Sequence, residues 1–245
     1  MQSLFHLGRY FMMLGSLFNS KPEKIGMYWK ETIRQMNQIG VGSLLIVGVI
    51  SLFIGAVTAV QFAYQLDGQL TPIWFIGYIV RDMMIIELAP TFTCLILAGK
   101  VGSNIASELG SMRTTEQIDA LEIMGVNTAS YLIAPKIIAA VFIIPFLVIL
   151  AAGLGITGGL IASVASEVPK EEFYRGLYTW FEPFNVVMML IKGTIFAFLL
   201  TSVSCYQGYY VKGGALEIGA ASTRAVVNSC ILILIADYLI AAILL

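Results

Sequence analysis

Five stretches of the sequence are each long and apolar enough to cross a lipid bilayer. An α-helix needs about 20 apolar residues to cross about 30 Å of hydrocarbon. The windows that meet this length are residues 35–66, 73–99, 137–166, 183–206 and 225–245. Over the whole chain 58% of residues are hydrophobic and 12% are charged, against about 25% charged residues in a soluble domain. The sequence therefore predicts an all-α, polytopic membrane protein with about five transmembrane helices.

The composition also excludes several classes of function. The net charge of -1 creates no field that would attract nucleic acid, so we expect no nucleic-acid partner. His6 is the single histidine, which excludes a His-based triad or a multi-His metal site within this chain. The cysteines, Cys94, Cys205 and Cys230, lie in apolar stretches without CxxC spacing and predict no disulfide framework. We expect no metal, no cofactor and no catalytic residue.

Lysine and arginine are distributed unevenly around the five windows, and this distribution predicts the orientation. Ten of the 14 basic residues lie in the N-terminal segment and in the loops after the second and fourth windows, whereas the loop after the third window holds Lys170 and Arg175. Because basic residues collect on the cytoplasmic side, we expect a multi-pass protein with its N-terminus in the cytoplasm. The lack of an Arg/Ser-rich transit segment favours a bacterial inner membrane, with the chloroplast envelope as the alternative.

The first 36 residues are predicted to form a region of their own. Residues 4–18 are too few to cross a bilayer, and they place aromatic and aliphatic side chains around Arg9. This pattern favours an interfacial helix that lies in the headgroup plane, and a helix packed against the spans is the alternative. The sequence thus divides into an N-terminal interfacial region, 1–36, and a transmembrane domain, 37–245.

Glycines in the first and third windows predict close packing of helices. Small residues let two helix backbones approach each other, either within one chain or at a seam between two copies. A conformational hinge is the alternative. The glycines are Gly40, Gly42, Gly48 and Gly55 in the first window and Gly153, Gly155, Gly158 and Gly159 in the third.

The loop between the second and third windows has the signals of a short cytoplasmic helix. Thr114 followed by Gln117 matches a capping box, and Gly125 is a typical C-terminal stop, which together predict a helix of about three turns over residues 114–125. Apolar residues share one face of it and acidic residues form a second stripe. The apolar residues are Ile118, Leu121 and Met124, and the acidic residues are Glu116, Asp119 and Glu122. Such a helix either packs on the bundle or docks a cytosolic partner.

Charged side chains inside the windows are candidates for function, because a charge at the bilayer centre costs upward of about 2.5 kcal/mol. The helical rise puts Glu87, Lys192 and Asp237 at similar depths, so we expect one hydrogen-bonded cluster that joins the second, fourth and fifth windows. A static polar pin and a role in transport explain this cluster equally well. Arg81 and Asp82 lie nearer the outer surface, where long side chains reach water, and are predicted to be orientation anchors or the rim of a cavity.

The loop sequence from Ser107 to Val126 closely resembles the signature of MlaE-family permeases, the membrane subunits of MCE-associated ABC systems that transport phospholipid. Glu87-Leu-Ala-Pro90, Leu190-Ile-Lys192 and Thr223-Arg224 match the family as well, and the resemblance extends from about residue 40 to the C-terminus. It implies that the loop helix is a coupling helix that contacts an ABC ATPase subunit. The coupling residues are then Glu116, Gln117, Ile118, Asp119, Ala120, Leu121, Glu122, Met124 and Gly125.

The resemblance also implies an assembly and a cargo. The partners would be a second copy of the chain, an MCE-domain lipid-binding protein on the outer side, and a phospholipid. A lipid cavity would open outward between the two copies. By resemblance its lining is Gln61, Phe62, Gln65, Leu66, Leu70 and Leu88.

The sequence contains no nucleotide-binding loop of the GxxxxGK[ST] type. Gly99-Lys100 is the only Gly-Lys pair, and Cys94 stands where the first glycine of the motif would be. ATP hydrolysis is therefore expected from a separate subunit, and the chain is expected not to be an enzyme. Two alternatives remain open at this point: a proton-coupled secondary transporter, and an intramembrane acid/base hydrolase that uses Glu87 or Asp237.

Overall fold

The computed structural model describes residues 2–18, 25–66, 71–166 and 168–244, and within these ranges every regular element is helical. The α-helices are α1 Gln2–Phe18, α2 Ile25–Gly40, α3 Leu44–Leu66, α4 Phe75–Met83, α5 Ala89–Leu97, α6 Ser103–Thr114, α7 Gln117–Ile123, α8 Ala134–Ala165, α9 Lys170–Tyr178, α10 Pro183–Tyr209 and α11 Ala215–Leu244. Spans one to five, each long and apolar enough to cross a membrane, are Gly26–Leu66, Phe75–Thr114, Ala129–Ala165, Pro183–Tyr209 and Ala215–Leu244. The prediction of an all-α protein with five membrane spans is confirmed.

Spans one and two are much longer than a bilayer is thick. They contain 41 and 40 residues, or about 60 Å of helix each, so both continue beyond the hydrocarbon. In span one, α2 leads through a 3₁₀ turn at Val41–Ser43 into α3, and the boundary predicted at residue 36 falls inside α2. Hydropathy missed α2 because that helix carries the charged residues Lys30, Glu31 and Arg34, although it buries Thr32, Gln35 and Ile39.

Three turns of π-helix interrupt the spans, at Met84–Leu88, Ala98–Gly102 and Ala129–Ile133. A π-turn inserts one residue into the helical ladder and often marks a functional site. Pro90 follows the first of them, and because proline has no N–H to donate to the carbonyl four residues before it, it favours the local change in hydrogen bonding. Each of the first two π-turns changes the direction of the side chains that follow it in span two, relative to an uninterrupted α-helix.

Spans one and three touch backbone to backbone. A Cβ added at Gly55 would lie 1.8 Å from the carbonyl oxygen of Gly155, and one at Gly158 would lie 2.1 Å from the carbonyl oxygen of Leu52. Only glycine fits at such a distance. The predicted close packing of helices is confirmed, and these glycines form a seam within one chain rather than between copies.

Helix α9 covers the opposite end of the bundle from α7, and it packs on α4 through glycine. A Cβ at Gly77 would lie 2.3 Å from the carbonyl oxygen of Phe173, and a Cβ at Gly176 would lie 2.0 Å from the carbonyl oxygen of Trp74. The close approach fixes α9 as a lid over the start of span two.

Arg81 cross-links span two to the loop after α9, so its side chain does not extend toward water; its role as an orientation anchor or at the rim of a cavity stays a prediction. Its side chain is 3% exposed and its Nε lies 2.8 Å from Asp82 Oδ1. Its guanidinium donates to the carbonyl oxygens of Leu177, Thr179 and Trp180, at 2.6, 2.9 and 3.3 Å. These three carbonyl oxygens, at the end of α9 and just after it, keep the guanidinium hydrogen-bonded inside the protein.

Helix α1 packs against the end of α10. His6 Nδ1 lies 2.8 Å from the hydroxyl of Tyr206, and the Arg9 guanidinium lies 3.9 Å from the centre of the Tyr210 ring. Burial raises the pKa of the Tyr10 phenol, so its hydroxyl stays protonated and bonds Ser202 Oγ at 2.7 Å. The other face of α1 exposes apolar side chains, namely Phe5, Leu7, Phe11 and Met12. The helix thus combines contact with the spans, the predicted alternative, and an apolar surface that suits an interface.

Candidate functional site

Spans two, four and five meet at one buried ammonium group. Lys192 in α10 is fully buried, and its Nζ donates to Glu87 Oε2 at 2.8 Å and lies 2.6 Å from Asp237 Oδ1. Thr91 Oγ1, one turn beyond Glu87, donates to Asp237 Oδ2 at 3.1 Å. The structure therefore brings together the three charged residues that depth alone had grouped, and adds Thr91 to them.

The helices position each member of this cluster differently. Glu87 lies in the π-turn Met84–Leu88, and its carboxylate accepts a hydrogen bond from the Lys192 ammonium of span four. Lys192 lies among buried residues of α10, including Met189 and Phe196, and therefore extends its ammonium toward the two carboxylates rather than toward water. A buried ammonium needs such partners, because leaving it unpaired costs several kcal/mol.

The cluster is closed on one side and open on the other. The Lys192 and Asp237 side chains are 0% and 9% exposed, whereas that of Glu87 is 44% exposed. The ammonium contacts both carboxylates, so this is not the bare carboxylate pair that shares a proton in aspartyl hydrolases. The arrangement favours charge neutralisation between helices, with Glu87 as the member that reaches the surface of the chain.

Helix α7 is shorter than the sequence predicts, and the capping box does not form. Glu116 adopts a left-handed conformation, φ +58°, immediately before the helix, and no side chain caps its N-terminus. The Thr114 and Thr115 hydroxyls instead donate to the carbonyl of Ser111, because α6 continues to Thr114 and offers that acceptor first. At the other end Gly125 takes φ +80° and stops the helix as predicted.

The surface of α7 differs from the predicted stripes. Ile118 is fully buried, whereas Ile123 and Met124 at the far end are 87% and 67% exposed. Ile123 is thus an exposed apolar residue that the predicted pattern of Ile118, Leu121 and Met124 does not include.

The acidic residues of α7 are tied to the body of the protein. Arg113 lies 2.6 Å from Asp119 Oδ1 and 3.8 Å from Glu122 Oε1. Glu122 Oε1 also accepts a hydrogen bond from the hydroxyl of Tyr209, in α10, at 3.0 Å. These contacts connect α7 to both span two and span four, so Asp119 and Glu122 hold the helix in place, whereas Glu116, just before the helix, is exposed.

The residues predicted to line a lipid cavity lie on two spans and are open to the surroundings. On α3, Gln61 and Gln65 are exposed and Phe62 and Leu66 are half-buried, and Leu88 in the π-turn of span two is half-buried beside Glu87. Leu70 lies outside the described residues.

A second buried ion pair was missed by sequence reasoning. Lys136 is 3% exposed and its Nζ donates to Glu108 Oε2 at 2.6 Å, which joins span three to α6. Lys136 had been assigned to a loop because span three was predicted to begin one residue later. Pro135 beside it was the available signal, because proline is favoured in the first turn of a helix and here begins α8.

The comparisons with known proteins agree with one another. Residues 32–243 match the family described as Permease MlaE. A probable ABC transporter permease protein of Rickettsia bellii is 38% identical over 87% of this chain and 83% of its own length. The intermembrane phospholipid transport system permease protein MlaE of Haemophilus influenzae is 33% identical over 97% and 91%. The chloroplastic protein TRIGALACTOSYLDIACYLGLYCEROL 1 of Arabidopsis thaliana is 30% identical over 88% and 62%.

Proposed function

Because this chain belongs to the MlaE permease family, we propose that it moves phospholipid between the inner membrane and an MCE lipid-binding protein on the outer side. The match over residues 32–243 carries the proposal, since a relative aligned with 97% of the chain is named as the permease of an intermembrane phospholipid transport system. The chain is an ABC permease subunit and not an enzyme, so a separate ATPase subunit supplies the energy.

The proposed orientation puts the N-terminus and α7 in the cytoplasm of a bacterium and α9 on the outer side of its inner membrane. Ten basic residues on the α7 side, against Lys170 and Arg175 on the α9 side, support this orientation. The ATPase would then meet α7, and the MCE protein would meet the end of the bundle that α9 covers.

Within this proposal α7 is the coupling helix. Its exposed apolar tip, Ile123 and Met124, suits insertion into a groove on the ATPase. Its contacts with Arg113 and Tyr209 would pass a push on the tip to spans two and four together. Nucleotide-driven motion of the ATPase would in this way change the separation of the two halves of a dimer.

The lipid path is proposed to lie between two copies of the chain. Only 17% of the most apolar window of span five and 33% of that of span one are buried within one chain, which leaves large apolar faces for a second copy or for lipid. Acyl chains would contact Phe62, Leu66 and Leu88, and a headgroup would contact Gln61 and Gln65. Glu87, beside Leu88, would connect this path to the buried cluster.

The coupling assignment is tested by changing the tip of α7. Ile123→Asp places a charge on an apolar tip, so we expect at least tenfold less ATPase recovered with the purified permease, because burying an unpaired carboxylate at an interface costs more than about 1.4 kcal/mol. Leu216→Asp, at a residue that is 91% exposed on the same side of the bundle, is the matched control and should keep the ATPase bound.

The cargo and energy source are tested on the wild-type complex. We expect mass spectrometry of the native preparation to detect an ATPase and bound phospholipid, and proteoliposomes to transfer lipid only with ATP. Purification without an ATPase, together with lipid movement driven by a proton gradient, would replace the proposal with the secondary-transporter alternative. Purification with the ATPase but without phospholipid would contradict the cargo.

A further inference from the structure

A polar groove lies on the α7 side of the bundle, far from the Lys192 cluster. It has a volume of about 530 Å³ and separates α2 from α6 and α11. Its polar lining comprises Gln35, Gln38, Lys100, Ser103, Asn104, Ser107 and Ser222. None of these residues has a role in the proposed coupling or in the proposed outer cavity.

Two irregular turns build this groove. The 3₁₀ turn Val41–Ser43 of span one lies opposite the π-turn Ala98–Gly102 of span two, and Lys100 Nζ donates to the carbonyl oxygen of Gly42 between them. Ser222 Oγ donates to the carbonyl oxygen of Ser103, which attaches α11 to the same place. The Gly42 carbonyl of span one therefore sets the position of the Lys100 ammonium, and Ser222 holds α11 beside it.

The groove presents hydrogen-bond donors and one positive charge. Lys100 is the one charged residue of the lining, and among the residues that the structure describes no carboxylate forms an ion pair with it. Its ammonium has donors left after the bond to Gly42. Gln38 and Asn104 add exposed side-chain amides. This set of donors suits the oxygens of a phosphate.

The depth of the groove corresponds to a headgroup layer. Lys192 lies nine residues into span four, about 14 Å from its start, and so near the middle of the hydrocarbon. Lys100 follows Glu87, the partner of Lys192, by 13 residues, or about 20 Å along span two. Since half of the hydrocarbon is about 15 Å thick, Lys100 lies at the polar edge on the α7 side.

An apolar surface runs from this edge toward the bilayer centre. On α3, Val49, Phe53 and Val57 repeat every four residues, line a shallow depression and are 50%, 62% and 53% exposed. Nearer the groove, Leu45 is 81% exposed. A molecule with an anionic head and long apolar chains matches this combination of surfaces.

We propose that the groove binds the phosphate of a phospholipid from the leaflet on the α7 side. Lys100 and Gln38 contact the phosphate oxygens, and the acyl chains lie along the apolar face of α3. The inference rests on the proposed lipid transport and adds to it a second lipid position at the opposite edge of the membrane, where lipid enters or leaves the path.

Site-specific photo-crosslinking tests this site in the permease–ATPase complex, reconstituted in nanodiscs of phosphatidylethanolamine and phosphatidylglycerol with radiolabelled phosphate. A benzophenone amino acid replaces Asn104 in the groove or Phe62 in the proposed outer cavity. We expect a phospholipid adduct at both positions. Lys100→Gln should lower the adduct at position 104 about fivefold, as expected for one cation near a lipid phosphate, and leave the adduct at position 62 unchanged.

Two matched variants separate charge from folding. Lys100→Arg keeps the cation and should retain the adduct at position 104. Lys212→Gln removes an exposed lysine on the same side of the bundle, outside the groove, and should also retain it.

The remaining outcomes overturn the inference in distinguishable ways. A phospholipid adduct at position 62 without one at 104, or an adduct at 104 that is insensitive to Lys100→Gln, contradicts the groove but leaves the proposed function intact. An adduct between two copies of the chain at 104 reassigns the groove to a subunit interface. Loss of the lipid adduct with excess inorganic phosphate reassigns it to the free anion. Absence of lipid adducts at both positions contradicts the proposed function itself.

Discussion

Lys192 illustrates how a charge is retained inside a membrane protein. Its ammonium is fully buried and lies within 2.8 Å of Glu87 and 2.6 Å of Asp237. Breaking a buried pair by removing one partner costs about 3–5 kcal/mol, because the other charge is left uncompensated, whereas replacing all partners by neutral groups is often harmless. Stability and function of the cluster can therefore be separated by comparing a single substitution with a combined one.

We predict that Lys192→Met lowers the free energy of unfolding by about 3 kcal/mol, the lower end of the range for a broken buried pair. Asp237 loses its counter-ion in a buried site, whereas Glu87, with its side chain 44% exposed, can turn toward polar surroundings. The unfolding midpoint of the permease in lipid nanodiscs measures the change. A midpoint equal to that of the wild type would show that the ammonium does not hold the helices together.

The combined variant Lys192→Met, Glu87→Gln, Asp237→Asn is the control for the single one. It removes all three charges and should recover most of the lost stability. If it also transports lipid at the wild-type rate, the cluster is a static pin. If it is stable and inactive, the charges act in transport, which is the other reading that the sequence left open.

At this scale the sequence predicted contacts only where a charge lay deep in an apolar window. Helical rise was enough to group Glu87, Lys192 and Asp237, because little but another charge satisfies a charge at that depth. Arg81 and Lys136 lie near the ends of spans, where water is an equally good partner. Their inward orientation depends on carbonyls and a carboxylate from other elements, which no local pattern encodes.

At the scale of elements, the seam between spans one and three depends on the absence of side chains. Helices in lipid gain little from hydrophobic burial against each other, so van der Waals contact between close backbones contributes much of their association. The seam lets α3 and α8 interact along their length at Gly55, Gly155 and Gly158. Glycines on the outside of the same helices have no such role.

We predict that Gly158→Ala destabilises the permease by about 2 kcal/mol, as overpacking of a tight contact does. The added methyl group would lie 2.1 Å from the carbonyl oxygen of Leu52, so spans one and three must separate. Gly153→Ala, on the same helix with nothing within 4 Å of the added carbon, is the control. Unfolding midpoints in nanodiscs measure both, and an equal shift in the two variants would contradict the packing argument.

The sequence identified α7 but not its first residue. Thr114 and Gln117 satisfy a capping-box pattern, yet the preceding helix α6 uses Thr114 as its own last residue. Only two residues separate the two helices, so Thr114 could either end α6 or cap α7. In the structure it ends α6, and Ile118 of α7 is fully buried. Gly125 was predictable because its left-handed conformation is a local property of glycine.

At the scale of the whole molecule, the number of spans was predictable and their lengths were not. The hydrocarbon sets a minimum length for each apolar window, and all five windows meet it. The polar extensions α2 and α6 follow from burial of one face against other helices, which average hydropathy does not detect. The polar groove around Lys100 lies between these extensions, so it could not be predicted from the sequence.

The proposed roles of α7, of α9 and of both lipid positions all depend on the orientation of the chain in the membrane. Positive charge determines which loops stay in the cytoplasm. We therefore expect a cysteine in place of Tyr178, which is the last residue of α9 and 81% exposed, to react with a membrane-impermeant maleimide on intact spheroplasts. A cysteine in place of Leu216, 91% exposed at the start of α11 on the α7 side of the bundle, should react only after permeabilisation. Both are made with Cys230, the half-buried native cysteine, replaced by alanine. The reverse labelling would put α7 outside the cell, where no ATP reaches an ATPase, and would contradict the proposed coupling.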